Sequence, residues 1–289
     1  MKLRVLVLGI MVLAFTTLCF CQDAKSQRYQ QHIKKAEQGN AESQFIIGSC
    51  CKEGDGVARD DKKAFYWLTR SAVNGNSSAQ CDLGLCYQQG IGTNKDDELA
   101  LFWYLKAAEA GDVLSQNNVA FCYECGKGVE KNEPKAFEWY LKAATQGLAA
   151  AQYNVALCYE FGRGTAKNDH EAFVWYLRSA QAGIREAQLN VANCFRQGMG
   201  VEKSDEKSLF WLLTVGRQGD AEAQNSLGFY YAQGLGTEQN LQEAFSWFYK
   251  AAMQGHRDAQ RNVGICYQDG FGVAPDSQKA RYWFDLAGK

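Results

Sequence analysis

Residues 147–183 read GLAAAQYNVALCYEFGRGTAKNDHEAFVWYLRSAQAG, and nearly everything after residue 38 repeats this stretch. Its glutamine and its tryptophan both recur at steps of 36 residues without slippage, and all seven tryptophans of the chain belong to the series. The glutamines are Gln44, Gln80, Gln116, Gln152, Gln188, Gln224 and Gln260. The tryptophans are Trp67, Trp103, Trp139, Trp175, Trp211, Trp247 and Trp283. A fixed period of this length is the signature of a stacked repeat array, and such arrays commonly bind other proteins.

Each repeat is predicted to form two helices. Residues 151–160 carry apolar side chains at helical spacing and contain no helix breaker, so they form the first helix. Gly162 and Gly164 end it, because glycine adopts the left-handed conformation found at helix ends. The second helix starts after Asn168, whose side chain can cap the first free N–H groups. The equivalent residues are all preferred N-cap types: Asp60, Asp96, Asn132, Ser204, Asn240 and Asp276.

The predicted fold class is therefore an all-α solenoid of seven helix-turn-helix repeats. Their predicted bounds are 40–75, 76–111, 112–147, 148–183, 184–219, 220–255 and 256–289. Residues 22–39 resemble the end of a second helix without its first, and they carry Gln31 where the tryptophan would stand. We expect this half-repeat to be an N-terminal cap, which repeat arrays need for solubility.

Residues 1–21 are predicted to be a secretory signal peptide. Lys2 and Arg4 precede an apolar run from residue 5 to residue 20, and Cys19 and Cys21 supply small residues for a signal peptidase. The alternative is an uncleaved anchor, but the run is shorter than the roughly 20 residues that span a bilayer. The sequence therefore predicts a secreted or periplasmic protein.

The charge balance argues against a nucleic-acid partner, and the pairing of some cysteines stays open. With 31 basic and 32 acidic residues, the chain has no electrostatic footprint for nucleic acid. Six cysteines share one repeat position, and adjacent stacked helices lie about 8–10 Å apart, too far for a disulfide. These six are expected to be small buried packing residues. Cys51, Cys81 and Cys125 depart from the series and remain candidates for pairing.

No motif in the sequence favours catalysis, a metal or a cofactor. His32, His170 and His256 are scattered and occupy no recurring site, so each is expected to be an exposed helix residue. Cys122 and Cys125 form a C-x-x-C pair without a second pair or a nearby histidine. Ser204 begins an S-x-x-K motif but stands at an N-cap position. We therefore expect a protein that is not an enzyme, with no cofactor, metal or small-molecule substrate.

The repeat closely resembles the Sel-one-like repeat, a longer relative of the tetratricopeptide repeat. In the second repeat the resemblance rests on Ala79, Gln80, Leu83, Gly84, Tyr87, Gly90, Gly92, Asp96, Ala100, Trp103, Tyr104, Lys106, Ala107 and Ala108. It implies a right-handed superhelix and a role as an adaptor or scaffold that assembles other proteins.

The resemblance also implies two alternative functions. A cysteine-rich bacterial branch of the family binds β-lactams weakly and pairs two cysteines within each hairpin, whereas this chain mostly has one cysteine per repeat. Other members are luminal adaptors in the eukaryotic secretory pathway. The first alternative would make the protein a weak β-lactam-binding protein or hydrolase.

Related tetratricopeptide proteins bind ligands on the concave surface formed by their first helices. The positions that would face it lie two before the recurring glutamine and one, five and eight after it; we call this surface the first-helix face. The predicted partner-binding residues on it are Leu85, Phe121, Glu124, Tyr153, Leu157, Glu160, Leu189, Arg196 and Phe229. The alternative is that its apolar residues only pack between helices. Self-association through the last repeat is a further expectation.

Overall fold

The computed structural model describes residues 25–288, and the predicted signal peptide therefore lies outside the described residues. Within that range the chain forms fifteen α-helices and no β-strand. Helix α1 spans 25–37, where the cap was predicted, and the others pair into seven αα-hairpins. The hairpins are α2 Ala41–Glu53 and α3 Asp61–Val73, α4 Ser77–Gln89 and α5 Asp97–Glu109, α6 Val113–Cys125 and α7 Glu133–Thr145, α8 Ala149–Phe161 and α9 Asp169–Gln181, α10 Arg185–Gln197 and α11 Asp205–Arg217, α12 Ala221–Gln233 and α13 Leu241–Met253, and α14 Arg257–Asp269 and α15 Ser277–Ala287.

The chain divides between Gln146 and Gly147 into two compact units. The first unit contains α1 to α7 and the second α8 to α15. Within each unit a helix packs against the helices that precede and follow it in the chain. This is the tandem solenoid arrangement that the repeat period predicts.

The residues predicted to start and stop the helices do so. All seven predicted N-cap side chains accept a hydrogen bond from a backbone N–H in the first turn of the second helix. Each first helix ends at a glycine in the left-handed conformation, such as Gly198 with φ +75°. The glycine two residues later, Gly200, has φ +68°, and a Cβ there would overlap the carbonyl oxygen of Asp169. The G-x-G turn of this repeat therefore also packs against the start of α9 in the hairpin before it.

The recurring glutamine ties consecutive hairpins together. Gln80 donates from Nε2 to the carbonyl oxygen of Ala72 at 3.1 Å, near the end of the preceding second helix. Gln188 makes the same contact with Ala180 at 3.1 Å and Gln224 with Gly216 at 2.9 Å. Because buried polar groups need partners, this bond accounts structurally for a polar residue within the core.

In three repeats the most deeply buried aromatic residue is not the recurring tryptophan. The residue after the tryptophan is buried more deeply: Tyr104, Tyr140 and Tyr176 are at most 2% exposed, whereas Trp175 is 6% exposed. Burial raises the pKa of Tyr104 above its ordinary value, so its hydroxyl stays protonated and acts as a donor. These tyrosines lie between the two helices of each hairpin, directly beneath the first-helix face.

The cysteine prediction is confirmed for the regular series. Its six members are buried, and none of the nine cysteines among the described residues forms a disulfide. The three that depart from the series are not paired either: Cys51 is buried, Cys81 is half-buried and Cys125 is exposed. Burial raises the pKa of Cys81 to about 11, so its thiol is protonated and unreactive at neutral pH.

Candidate protein-interaction surface

The first-helix face of the first unit exposes apolar side chains between polar ones. Phe121 is 37% exposed and Leu114 is 58% exposed, while Leu85 is half-buried. The Nζ atom of Lys127 lies 4.9 Å from the ring centroid of Phe121, a cation–π contact on the same surface. Lys52 pairs with Asp82 at 2.7 Å between the first and second repeats. The surface offers an apolar strip with charges beside it.

The acidic residues predicted to border the strip are fixed by buried tyrosines. Tyr140 donates to Glu124 at 2.8 Å, and Tyr176 donates to Glu160 in the second unit. A hydrogen bond from a neutral donor to a carboxylate is stronger than one between neutral groups. Each carboxylate therefore has a set orientation on the first-helix face of its own unit, while remaining half-exposed to solvent.

The second unit carries the other six predicted residues. Tyr153 packs on Tyr176 with ring centroids 5.7 Å apart, and Leu157 is half-buried beside it. Phe229 is 43% exposed and meets Phe248 edge-to-face at 5.1 Å. Tyr153 and Phe229 thus each pack on a buried ring and stay partly accessible to solvent.

A cleft of about 470 Å³ lies between α10, α11 and α12 and brings three predicted residues together. Leu189, Arg196 and Phe229 line it, with Leu212 and Asn193. The guanidinium of Arg196 donates to the Asn193 side-chain oxygen at 2.7 and 3.2 Å.

A second cleft of about 400 Å³ shares Phe229 and is mainly apolar. Phe248, Ile265 and Phe271 form its other large walls. Because Phe229 belongs to both clefts, the two form neighbouring recesses on the first-helix face of the second unit.

Some features of this face were missed by sequence reasoning. Asn225 lies on the predicted line but is 7% exposed and accepts a hydrogen bond from Asn262 of the next repeat at 3.0 Å. Asn118 contacts the Cys81 sulfur in the same way at 4.0 Å. Asparagine recurs two residues after the glutamine in four repeats, and that recurrence is the signal that could have indicated a contact between repeats.

The histidine prediction is wrong for two of its three members. His32 is half-buried and lies 3.1 Å from the Ser43 hydroxyl. His256 precedes α14 as its N-cap, and its Nε2 atom lies 2.9 Å from Glu222. Asparagine or aspartate caps four of the other first helices, so the repeat register could have placed His256 correctly.

The serine of the S-x-x-K motif has a structural role. Ser204 caps α11 by accepting from the Lys207 N–H at 3.2 Å. Within residues 25–288, no three His, Cys, Asp or Glu side chains are grouped as metal ligands would be. Among the helices of this range, none has the length and apolar character needed to cross a bilayer.

Comparison with known proteins agrees with this architecture. The family model for the Sel1 repeat matches seven segments: 41–76, 77–112, 113–148, 149–184, 185–220, 221–256 and 257–289. No curated protein sequence matches the chain significantly.

Two solved structures are similar over most of the chain. A Sel1 repeat protein from Oxalobacter formigenes is 33% identical, with a TM-score of 0.70 over 90% of this chain and 75% of that one. A protective antigen present in uropathogenic Escherichia coli is 30% identical, with a TM-score of 0.87 over 90% of this chain. The match spans 56% of the length of that antigen.

Proposed function

Because the chain belongs to the Sel1 repeat family, whose members generally mediate contacts between proteins, we propose that it is an exported, non-catalytic scaffold that holds a protein or peptide on its first-helix face. One observation carries the proposal. The position five residues after the recurring glutamine exposes Phe121 and Phe229 by 37% and 43%, although other repeats place Ser49 or Asn193 there. Packing therefore does not require an aromatic residue at this position.

Exposed aromatic side chains of this kind support protein recognition. A contiguous apolar surface bordered by polar groups is typical of an interaction site, and aromatic residues contribute a large share of binding energy where they become buried. The oriented carboxylate of Glu124 would supply a hydrogen-bond acceptor one helical turn from Phe121, and that of Glu160 one helical turn from Leu157. The alternative in which the apolar residues only pack between helices accounts for half-buried Leu85 and Leu157 better than for the two phenylalanines.

The test is a pull-down with matched variants. The purified protein serves as bait in an extract of its source organism, alongside Phe121→Gln and Phe229→Gln. Phe102→Gln and Phe161→Gln are the controls, because Phe102 and Phe161 are 46% and 56% exposed but lie outside the four predicted positions. Circular dichroism checks that every variant is folded.

We expect a protein that the wild type and both controls capture and that the Phe121 or Phe229 variant loses. Equal capture by all five proteins would place the partner elsewhere on the scaffold. Capture of no protein above a bait-free control would contradict the scaffold proposal.

Export is tested separately. The proposal rests on the basic start and apolar run of residues 1–21. N-terminal sequencing of the protein recovered from the medium or envelope should begin near Gln22. Recovery of a chain that still begins at Met1, from the cytosol, would contradict export while leaving the binding proposal intact.

A further inference from the structure

A buried tyrosine that closes the space beneath the first-helix face is replaced in the fifth repeat. In the three preceding repeats this tyrosine is at most 2% exposed, and its hydroxyl donates to the residue eight positions after the glutamine. The fifth repeat has Leu212 instead, and the residue at the eighth position is Arg196. Leucine is shorter than tyrosine and has no hydroxyl. The substitution therefore removes both the bulk and the hydrogen bond at this point of the surface.

The cleft of about 470 Å³ opens at this replacement. Leu212 lies in its wall together with Leu189 and Phe229, so the sides are apolar. Its floor contains Ser208 and Tyr230, whose oxygens lie 2.7 Å apart. Because these two hydroxyls bond to each other, neither needs a hydrogen bond from a ligand.

Arg196 supplies the positive charge of the cleft. Within residues 25–288 its guanidinium donates hydrogen bonds only to the neutral side chain of Asn193 and forms no ion pair. Arginine has five N–H donors, so donors remain for a further partner. The other charged lining residue, Glu222, is directed to His256 at 2.9 Å. The equivalents of Arg196 in the repeats on either side are Glu160 and Ala232, so the positive charge is local.

We propose that this cleft binds an acidic residue of a partner peptide, with its carboxylate on Arg196 and an adjacent apolar side chain over Phe229. The inference rests on the proposed scaffold function and assigns the chemistry of its partner. A carboxylate matches the planar fork of a guanidinium. Phe229 also borders the apolar cleft formed with Ile265 and Phe271, so a peptide that leaves the first cleft across Phe229 enters an apolar recess. Leu212 is the specificity-determining residue, because a tyrosine there would fill the first cleft.

The test selects peptides rather than assuming one. A phage-displayed library of random dodecapeptides is panned against the purified protein from cells expressing the full chain, in parallel with Arg196→Gln and Leu212→Tyr. The tyrosine variant should fold, because three other repeats bury tyrosine at this position. Arg281→Gln is the control, since it removes an exposed arginine that lies on a second helix, α15, and lines neither cleft.

We expect the wild type and the Arg281 variant to enrich peptides that contain aspartate or glutamate beside leucine, isoleucine or phenylalanine. An enriched peptide, labelled with fluorescein, should bind Arg196→Gln about tenfold more weakly, the loss typical of one charge-assisted hydrogen bond. Replacing its acidic residue by the amide should weaken binding to the wild type by the same factor and leave binding to the Arg196 variant unchanged. Leu212→Tyr should abolish binding.

Three outcomes would overturn the assignment. Enriched peptides without an acidic residue would refute binding at this cleft. The same holds for peptides that bind the wild type, Arg196→Gln and Leu212→Tyr with equal affinity. Neither result would contradict the scaffold function. Competition by free N-acetyl-leucine as strong as by the peptide would show that the cleft takes a small carboxylic acid instead. If the wild type enriches no peptide while the pull-down captures a protein through Phe121 or Phe229, the acidic-peptide assignment fails and the scaffold function survives.

Discussion

The hydroxyl oxygens of Ser208 and Tyr230, on neighbouring repeats, lie 2.7 Å apart within the core of the second unit. Ser208 also contacts the carbonyl oxygen of Ala192 at 2.8 Å. Because that carbonyl can only accept, the serine donates to it, and the tyrosine then donates to the serine. Both residues depart from the repeat, which has alanine at the first position and cysteine at the second. The two departures are therefore structurally matched.

We predict that Ser208→Ala and Tyr230→Phe are each destabilising but not additive. The first substitution leaves a buried tyrosine hydroxyl without its acceptor and should cost about 1–3 kcal/mol of unfolding free energy. The second leaves the serine bonded to Ala192 and should cost about 1 kcal/mol. The double variant should lose less than the sum, as measured by urea unfolding. Additive losses would show that the two hydroxyls act independently.

Gly216 is predicted to be required for packing rather than a weak point. Five of the other repeats have alanine at this position, near the end of the second helix. In the structure a Cβ at this position would lie 2.6 Å from Leu227 Cδ1. Gly216→Ala should therefore destabilise the protein by roughly 1–3 kcal/mol through overpacking, despite the helix preference of alanine.

A second variant identifies the cause of that loss. Leu227→Ala in the Gly216→Ala background removes the atom that would collide. The double variant should therefore lose less unfolding free energy than the sum of the two single losses. Thermal unfolding of all three variants supplies the comparison. A stabilised Gly216→Ala protein would instead mean that helix propensity dominates at this position.

Much of this fold was readable from the sequence because the same local signals occur seven times. The N-caps, the glycine stops and the buried cysteines were assigned from spacing alone. Contacts between repeats were not assigned. They join residues about 30 positions apart, in two different repeats, and the pattern within one repeat does not indicate them. Ser71, for example, donates to the Ala41 carbonyl at 2.6 Å, a contact that the period alone does not indicate.

The candidate site was readable only in part. Periodicity placed Leu189, Arg196 and Phe229 on one face, and the structure brings them to one cleft. The cleft itself depends on Leu212, a second-helix residue that lies outside the four positions predicted for this face. Its importance follows from the space that the equivalent tyrosines fill in other repeats, and that space is defined only by the folded structure.

The tyrosines beneath the first-helix face give a prediction about hydrogen-bond strength. Tyr140 donates to the carboxylate of Glu124 at 2.8 Å, whereas Tyr104 donates to the neutral amide oxygen of Gln88 at 3.1 Å. Tyr140→Phe should therefore lose roughly 1.5–3 kcal/mol and Tyr104→Phe roughly 0.5–1.5 kcal/mol. Both values should lie toward their lower limits, because the acceptors are half-exposed. Urea unfolding measures the difference, and equal losses would contradict a special role for the carboxylate.

The cysteines should differ strongly in reactivity, since one is exposed and the regular series is buried. Burial raises the pKa of Cys86, Cys122, Cys194 and Cys266 to about 11, against about 8.5 for a free thiol. A raised pKa lowers the fraction of reactive thiolate at any given pH below that value. In mildly alkaline buffer Cys125 should therefore react with Ellman's reagent in a fast phase, and the buried thiols only after unfolding.

Cys125→Ser identifies the fast phase, because that phase should lose one thiol per chain while the slow phase is unchanged. The same pKa shifts set a pH dependence of stability. The unfolded chain loses its thiol protons first, so the free energy of unfolding should fall as pH rises from about 8.5 toward about 11. Replacing Cys194 by alanine should reduce that fall, at the cost of a lower stability at neutral pH. Fast reaction of the buried cysteines in the folded protein would mean that the repeats open far more often than their packing implies.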